Sequence, residues 1–272
     1  MPELPEVENV REGLEKLLVG RQITEIVVKY DRMILTGTEN LRSNLTGRKV
    51  KAVKRRGKYL LFDFGDLTLI SHLRMEGKYR LESADFTGDK HDHVLIRLDN
   101  QKTLVYADIR KFGTWELIDS SDLTDYFERK KLGPEPNKTD FDLQIFQEKL
   151  KSKKKIKPYL LDQTLVAGLG NIYVDEVLWK SQIHPEQLSS NLTVENIKFL
   201  RQNIIEILQL AIKLGGSSIR TYKNALGKTG QMQDKLQVYG KSGQACPRCG
   251  QILQKTKVAG RGTTFCPNCQ IL

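Results

Sequence analysis

CPRCGQILQKTKVAGRGTTFCPNC, residues 246–269, carries two Cys-x-x-Cys knuckles, Cys246/Cys249 and Cys266/Cys269, at the spacing of a tetrahedral four-cysteine zinc site. Each knuckle can place two thiolates about 2.3 Å from one metal. The insert 250–265 is long enough for a hairpin and short enough to hold both knuckles together. With all four positions filled by protein, no place remains for a metal-bound water, so one structural zinc ion is expected. The competing reading is two redox pairs, but all the cysteines lie from Cys246 onward and no strand-helix thioredoxin pattern surrounds them. Residues 237–272 therefore read as a zinc finger.

Outward from that module, 272 residues give room for two further domains and a sizeable core. The charge is informative: 44 Lys and Arg against 33 Asp and Glu leave +11, with a pI near 9.4. Such a balance favours a polyanionic partner and salt-sensitive binding, nucleic acid ahead of an anionic membrane surface. No run of about 18 apolar residues is present, and the N-terminus MPELPEVENVREGLEK is acidic where a secretory signal would be basic and then apolar. A soluble cytoplasmic protein is expected, and cysteines confined to a metal cluster fit a reducing compartment.

Leu4, Val7, Val10, Leu14, Leu17 and Leu18 recur at helical spacing, with Pro5 suited to a first turn and Gly20 closing the element. Strands are predicted at Ile23–Tyr30, Val50–Lys54, Tyr59–Phe64, Thr68–Leu73, Val94–Leu98, Thr103–Tyr106 and Thr114–Ile118, each short and rich in β-branched or aromatic residues. Together they argue for a β-sandwich headed by one helix. From about Leu123 the pattern turns helical, and Gly133-Pro-Glu-Pro136 is a stiff breaker suited to a domain boundary. The longest helix is predicted from an N-cap at Thr193 through Ile197, Leu200, Ile204, Leu208 and Ile212 to Gly215-Gly216. Ser217–Lys235 has too few apolar residues to pack as a regular element.

Removing Met1 would expose Pro2 as a secondary amine beside Glu3 at a helix start. An α-amine titrates at about 7.7–8.0, and the positive end of a helix dipole disfavours its ammonium form. Such an amine can attack a sugar C1′ and form an iminium. Taken alone, Pro-Glu-Leu-Pro-Glu reads better as an ordinary helix start, with prolines and acids where first turns favour them. Gly168-Leu-Gly-Asn171 opening a helix is similarly double: its N–H groups suit a phosphate, and so would any loop-to-helix turn.

MPELPEVE at the start, RRGKYL at 55–60, SHLRMEGKYR at 71–80, DIRKFG at 108–113, LGPEP at 132–136, GLGNIYVDEVLW at 168–179 and the knuckles occur in the order of one family. The sequence resembles the formamidopyrimidine-DNA glycosylases, bacterial base-excision repair enzymes. The resemblance implies an α+β fold: an N-terminal helix-headed β-sandwich catalytic domain at 1–132, a helix-two-turn-helix domain at 133–236 containing a lesion loop at 217–235, and the zinc finger. Asn9 departs from the threonine frequent in the family.

The resemblance further implies excision of oxidised purines from duplex DNA, with Pro2 attacking C1′ and β,δ-elimination following. Glu3 would manage the protons, Glu6 would support it, and Lys58 would contact phosphates near the lesion and assist elimination. Met75 would fill the vacated stack, Arg110 would bond the orphaned cytosine and Phe112 would wedge the opposite strand. His91, Lys153 and Asn171 would contact phosphates, as would Arg261 of the zinc hairpin. Ser217, Ser218, Ile219, Arg220, Thr221 and Tyr222 would close over the flipped base. The implied partner is duplex DNA holding an oxidised purine or an abasic site, bound by a monomer in the bacterial cytosol or nucleoid. The sister endonuclease VIII group and a non-catalytic lesion binder are the alternatives; Leu4, the Met75/Arg110/Phe112 trio and the SSIRTY loop argue against the first, and Pro2, Glu3 and Lys58 against the second.

Overall fold

The computed structural model describes residues 1–217 and 230–272. They form two compact units, one of Met1–Lys130 with Gly215–Gly230 and one of Lys131–Leu214 with Gln231–Leu272. Of the described residues, Gly215, Gly216, Ser217 and Gly230 thus group with the N-terminal unit although they follow the longest helix in sequence. The lesion-loop candidates Ser218 to Tyr222 lie outside the described residues.

The first unit begins with α1 (Leu4–Leu18), whose Leu4, Val7, Val10, Leu14 and Leu18 are buried as their spacing requires. Strands β1 (Ile23–Val28), β2 (Ala52–Arg56), β3 (Tyr59–Asp63), β4 (Leu67–His72), β5 (Lys78–Ser83), β6 (Asp92–Leu98), β7 (Lys102–Ala107) and β8 (Thr114–Asp119) follow. Two helices accompany them: α2 (Thr38–Leu45) after β1, and α3 (Leu123–Arg129) after β8. The strands make two antiparallel four-stranded sheets, in the orders β1-β6-β7-β5 and β2-β3-β4-β8. Residues from α1, α2 and both sheets share one apolar core that includes Val10, Leu41, Phe62, Tyr106 and Trp115.

Register decides where functional residues emerge. In one sheet His72 lies opposite both Tyr59 and Thr114. In the other, Ala107 lies opposite Lys78 and Asp92. The segments preceding Tyr59, following His72, preceding Thr114, preceding Lys78, preceding Asp92 and following Ala107 therefore leave their sheets at matching strand ends. Those segments hold Lys58, Met75, Phe112, Arg110 and His91.

The second unit contains α4 (Leu143–Leu150), α5 (Ile156–Leu161), α6 (Asn171–Lys180), α7 (Val194–Lys213) and the hairpin β9 (Gln254–Val258) with β10 (Arg261–Phe265). All four helices fall in the stretch expected to be helical. Thr193 caps α7: its hydroxyl accepts the Asn196 N–H at 3.1 Å, and Asn196 Oδ1 accepts the Thr193 N–H at 3.1 Å. Buried Phe141, Phe146, Val174, Leu178, Leu200 and Ile204 belong to the core of this unit. A smaller cluster joins Trp179 of α6 to Val238, Cys246, Leu253 and Cys266, so the zinc-finger segment shares an apolar surface with a helix of the same unit. Within the stretch expected to lack regular structure, Met232–Lys235 makes one 3₁₀ turn that buries Met232. Among the described residues, no helix is long and apolar enough to cross a membrane.

Candidate active site and nucleic-acid interface

In the first unit Pro2, Glu3 and Glu6 are all buried around the start of α1. Glu3 is the N-cap residue, and Glu6 Oε2 accepts its backbone N–H at 2.9 Å in a capping box. The other Glu6 oxygen accepts the N–H of Ser217, which is also buried, at 2.7 Å. One carboxylate thus secures both the helix start and the first residue of the 217–229 segment. Pro2 is acylated by Met1 here; once Met1 is removed, its nitrogen becomes a secondary amine one residue from a buried carboxyl at the positive end of a helix.

Lys58 is only 5 % exposed and sits in the turn between β2 and β3, where Gly57 takes φ +56°. Arg55 braces that turn by donating to the Gly57 carbonyl at 2.9 Å and pairing with Glu8 of α1 at 2.7 Å. Sequence reasoning left His72 unassigned, although it stands in the quoted SHLRMEGKYR block. It is buried, and burial, followed by the positive charges of Arg74 and Lys58, lowers its pKa from 6.5 to about 3. The neutral ring accepts the Arg74 N–H at Nδ1, 2.9 Å away, and so fixes the left-handed Arg74 (φ +51°) that starts the turn carrying half-buried Met75.

Asp108 was also missed as an organiser. Its buried carboxylate accepts the backbone N–H groups of Arg110 at 3.0 Å, Phe112 at 3.0 Å and Gly113 at 2.8 Å. This wraps the loop around one acid and turns its side chains outward. Arg110 is exposed, its guanidinium lies 4.7 Å above the Phe112 ring, and Phe112 and Ile109 are 51 % and 61 % exposed. Apolar side chains this exposed on a braced loop suit a wedge better than a core. The carbonyl of half-buried His91 accepts the Asp108 N–H at 3.0 Å, which joins the His91 segment to the same loop. A general signal for Asp108 was available: an aspartate two residues before an exposed turn favours such bonds.

In the second unit Asn171 opens α6 and Arg261 opens β10, and the structure brings their segments together. Asn171 Nδ2 donates to the carbonyl of Gly262 at 2.9 Å, which uses one of its two amide hydrogens. Arg261, the residue before that glycine, is exposed. Lys153 is exposed, whereas its neighbours already have partners: Lys151 pairs with Glu148, Lys155 pairs with Glu186 and Lys154 lies 4.6 Å from the centre of the Tyr159 ring. Lys157, the last of the basic run, is not on the surface. It is fully buried, and its ammonium bonds Asp175 at 2.6 Å, Thr263 Oγ1 at 2.7 Å and the Gly262 carbonyl at 3.0 Å. Asp175 also accepts the Thr264 N–H at 3.0 Å, and burial raises its carboxyl to about 6 even with Lys157 beside it.

The four cysteine sulfurs all lie within 4.8 Å of one another. Cys249 to Cys266 is 3.5 Å and Cys246 to Cys269 is 4.0 Å, far beyond a disulfide and close to the roughly 3.8 Å edge of a tetrahedron with Zn–S bonds of about 2.3 Å. Four thiolates with no oxygen or nitrogen donor suit zinc, and the site holds one structural zinc ion. Although burial disfavours the Cys246 thiolate, N–H donors led by Trp179 Nε1, 3.4 Å from the sulfur, bring its pKa down to about 6.

Helix-headed sandwich, helical region and zinc hairpin, with basic and apolar side chains on braced loops, define a DNA-binding protein. Family models match at 1–115 (formamidopyrimidine-DNA glycosylase N-terminal domain), 132–223 (the H2TH, or helix-two-turn-helix, domain of the same glycosylase) and 243–271 (zinc finger found in FPG and IleRS). Formamidopyrimidine-DNA glycosylase of Lactococcus lactis subsp. lactis strain IL1403 is 61 % identical over 251 residues, 92 % of each chain. That of Streptococcus agalactiae serotype III strain NEM316 is 56 % identical over 250 residues, again 92 % of each. Among solved structures, MutM bound to DNA with carbocyclic 8-oxo-G aligns at TM-score 0.95 and 59 % identity over the whole of both chains. Lactococcus lactis Fpg in complex with abasic-site DNA aligns at 0.96 and 60 % identity, over 99 % of this chain and 100 % of that one. The chain belongs to the formamidopyrimidine-DNA glycosylase family.

Proposed function

We propose that this chain is a bifunctional base-excision repair enzyme: it removes oxidised purines, 8-oxoguanine and formamidopyrimidines, from duplex DNA and then cleaves the abasic strand. The observation that supports this best is the buried group of Pro2, Glu3 and Glu6 at the head of α1. In a chain from which Met1 has been removed, the Pro2 nitrogen attacks C1′ of the damaged nucleotide. The glycosidic bond breaks, the base leaves with a proton, and the nitrogen is left as an iminium on the opened sugar. Glu3 moves protons at the sugar ring oxygen, with Glu6 holding the backbone around it. Lys58 meets the phosphates near the lesion and assists the β- and δ-eliminations that expel the two flanking phosphates; water then hydrolyses the iminium, which releases the unsaturated sugar fragment and restores the amine.

Met75, Arg110 and Phe112 extrude the base and fill its place, and the braced loops described above favour that use because a wedge must not collapse inward. His91, Lys153, Asn171 and Arg261 hold phosphates, and residues 217–222 read the flipped base. The sandwich, 1–132, is the catalytic domain, 133–236 the helical domain, and the zinc module, 237–272, carries Arg261. The protein acts as a monomer in the bacterial cytosol or nucleoid. Borohydride trapping on a duplex with 8-oxoguanine opposite cytosine should give a covalent adduct at Pro2. Pro2→Gly should bind the duplex and lose excision by about 10³-fold or more. An adduct at another residue, or unaltered turnover in the variant, would remove the iminium route. An adduct only on an oxidised-pyrimidine duplex would assign the chain to the sister group.

A further inference from the structure

We infer that Asn9 is a positioning residue for excision of a base-bearing lesion, acting by fastening the neck through which the chain enters and leaves residues 217–229. The inference rests on the reading that this segment contacts the damaged base. Asn9 is half-buried on α1, and its Nδ2 donates to the Gly215 carbonyl at 2.8 Å. Glu6 lies one turn earlier on the same helix face and receives the Ser217 N–H at 2.7 Å. Two consecutive turns of α1 thus grip the outgoing strand at alternate residues. Between the anchors, Gly215 and Gly216 take φ +73° and +75°, a left-handed pair that side-chain-bearing residues rarely adopt.

The neck has no slack. A Cβ on Gly216 would lie 2.9 Å from Glu6 Oε1 and 3.2 Å from Glu6 Cα. On the returning strand, a Cβ on Gly230 would lie 2.1 Å from the Gly216 carbonyl oxygen and 2.5 Å from that of Gly215. The two strands therefore meet backbone to backbone, and the outgoing one is held against the carboxylate that also binds the Glu3 N–H. Asn9 fixes the carbonyl side of this junction and Glu6 the N–H side. Loss of the Asn9 bond frees Gly215 to rotate and shifts where Ser217 begins, while the bond between Glu6 and Glu3 survives. A base-bearing substrate needs the segment in place, and an abasic sugar presents no base to hold.

The test compares wild type, Asn9→Ala, Asn9→Asp and Gly230→Ala on 8-oxoguanine duplex and on pre-formed abasic duplex, with melting temperature measured in parallel. Removing one hydrogen bond should slow single-turnover excision by Asn9→Ala about three- to tenfold. Asn9→Asp, which puts an acceptor against the Gly215 carbonyl, should lose more. Gly230→Ala, which displaces the returning chain from the same junction, should lose at least as much as Asn9→Asp, and both Asn9 variants should cleave the abasic duplex within about twofold of wild type. Unchanged excision by Asn9→Asp overturns the inference, as does an equal loss on both substrates together with a lowered melting temperature, which marks a merely structural role. Wild-type inactivity on both duplexes would instead defeat the functional reading beneath it.

Discussion

Both units satisfy buried carboxylates with backbone N–H groups, Glu6 and Asp108 in the first and Glu176 in the second, but the second adds an ion pair buried on both sides. In the first, buried Glu6 and Asp108 are satisfied by backbone N–H groups, and the surrounding sandwich is apolar. These carboxylates shape backbone at the edge of a core that does not depend on them. In the second, Lys157 and Asp175 form an ion pair within the unit itself and link α5 and α6 to β10, while four thiolates hold the hairpin's far end. A sandwich has enough apolar surface to stabilise itself, whereas a short metal hairpin does not, so its placement relies on a zinc ion and a buried charge pair.

The largest effect expected from this contrast is on the metal. Chelation, or Cys249→Ser, should remove about 10 kcal/mol of metal-coupled folding energy from the hairpin and abolish duplex binding, while the sandwich keeps its β circular-dichroism signal. Undiminished DNA affinity in metal-free protein would show that the hairpin does not depend on zinc. Next in size, Lys157→Met leaves Asp175 buried without its cation and should cost about 3–5 kcal/mol. The double variant Lys157→Met/Asp175→Leu should recover most of that, because replacing a whole buried pair with apolar groups is often neutral. If the double variant were as unstable as the single one, the loss would come from packing.

The smallest effect sharpens the other side of the contrast. His72 is neutral in the fold, with a pKa depressed to about 3 from 6.5. A histidine depressed on folding gives stability that is complete above 6.5 and is lost as pH falls toward 3. Melting temperature should therefore drop more steeply between those values in wild type than in His72→Gln. Parallel curves would mean that His72 takes up its proton as easily folded as unfolded.

What the sequence disclosed, and what it withheld, follows the same division. α1, α6 and α7 were legible because each carries its own apolar pattern and start signal, as were the knuckles, whose chemistry lies in their spacing. α2 was not, because in eight residues it buries only Leu41 and Leu45, too few to set a period. β5 was hidden by its Lys78, Arg80 and Glu82, which made a strand look like part of a charged motif. Lys157 closes the basic stretch Lys151–Lys157 and carries no local sign of burial, since its partners stand 18 and 106 positions away. The residues named for chemistry by local motif mostly stand on turns and helix starts, where sequence sets geometry directly. Those missed, His72 and Asp108, accept backbone N–H groups two to five residues further on, local bonds that belong to turn-forming rather than to any chemical motif.

The bond from Ser217 to Glu6 spans 211 positions of chain. A protein made from its N-terminus exposes Glu6 early and supplies that N–H only after α7 has left the ribosome, so the bond is among the last to form. A nascent sandwich can collapse and bury its core while the surroundings of its own N-terminus are still unfinished. An incomplete chain therefore carries the head of α1 with one Glu6 oxygen still waiting for the N–H that Ser217 brings.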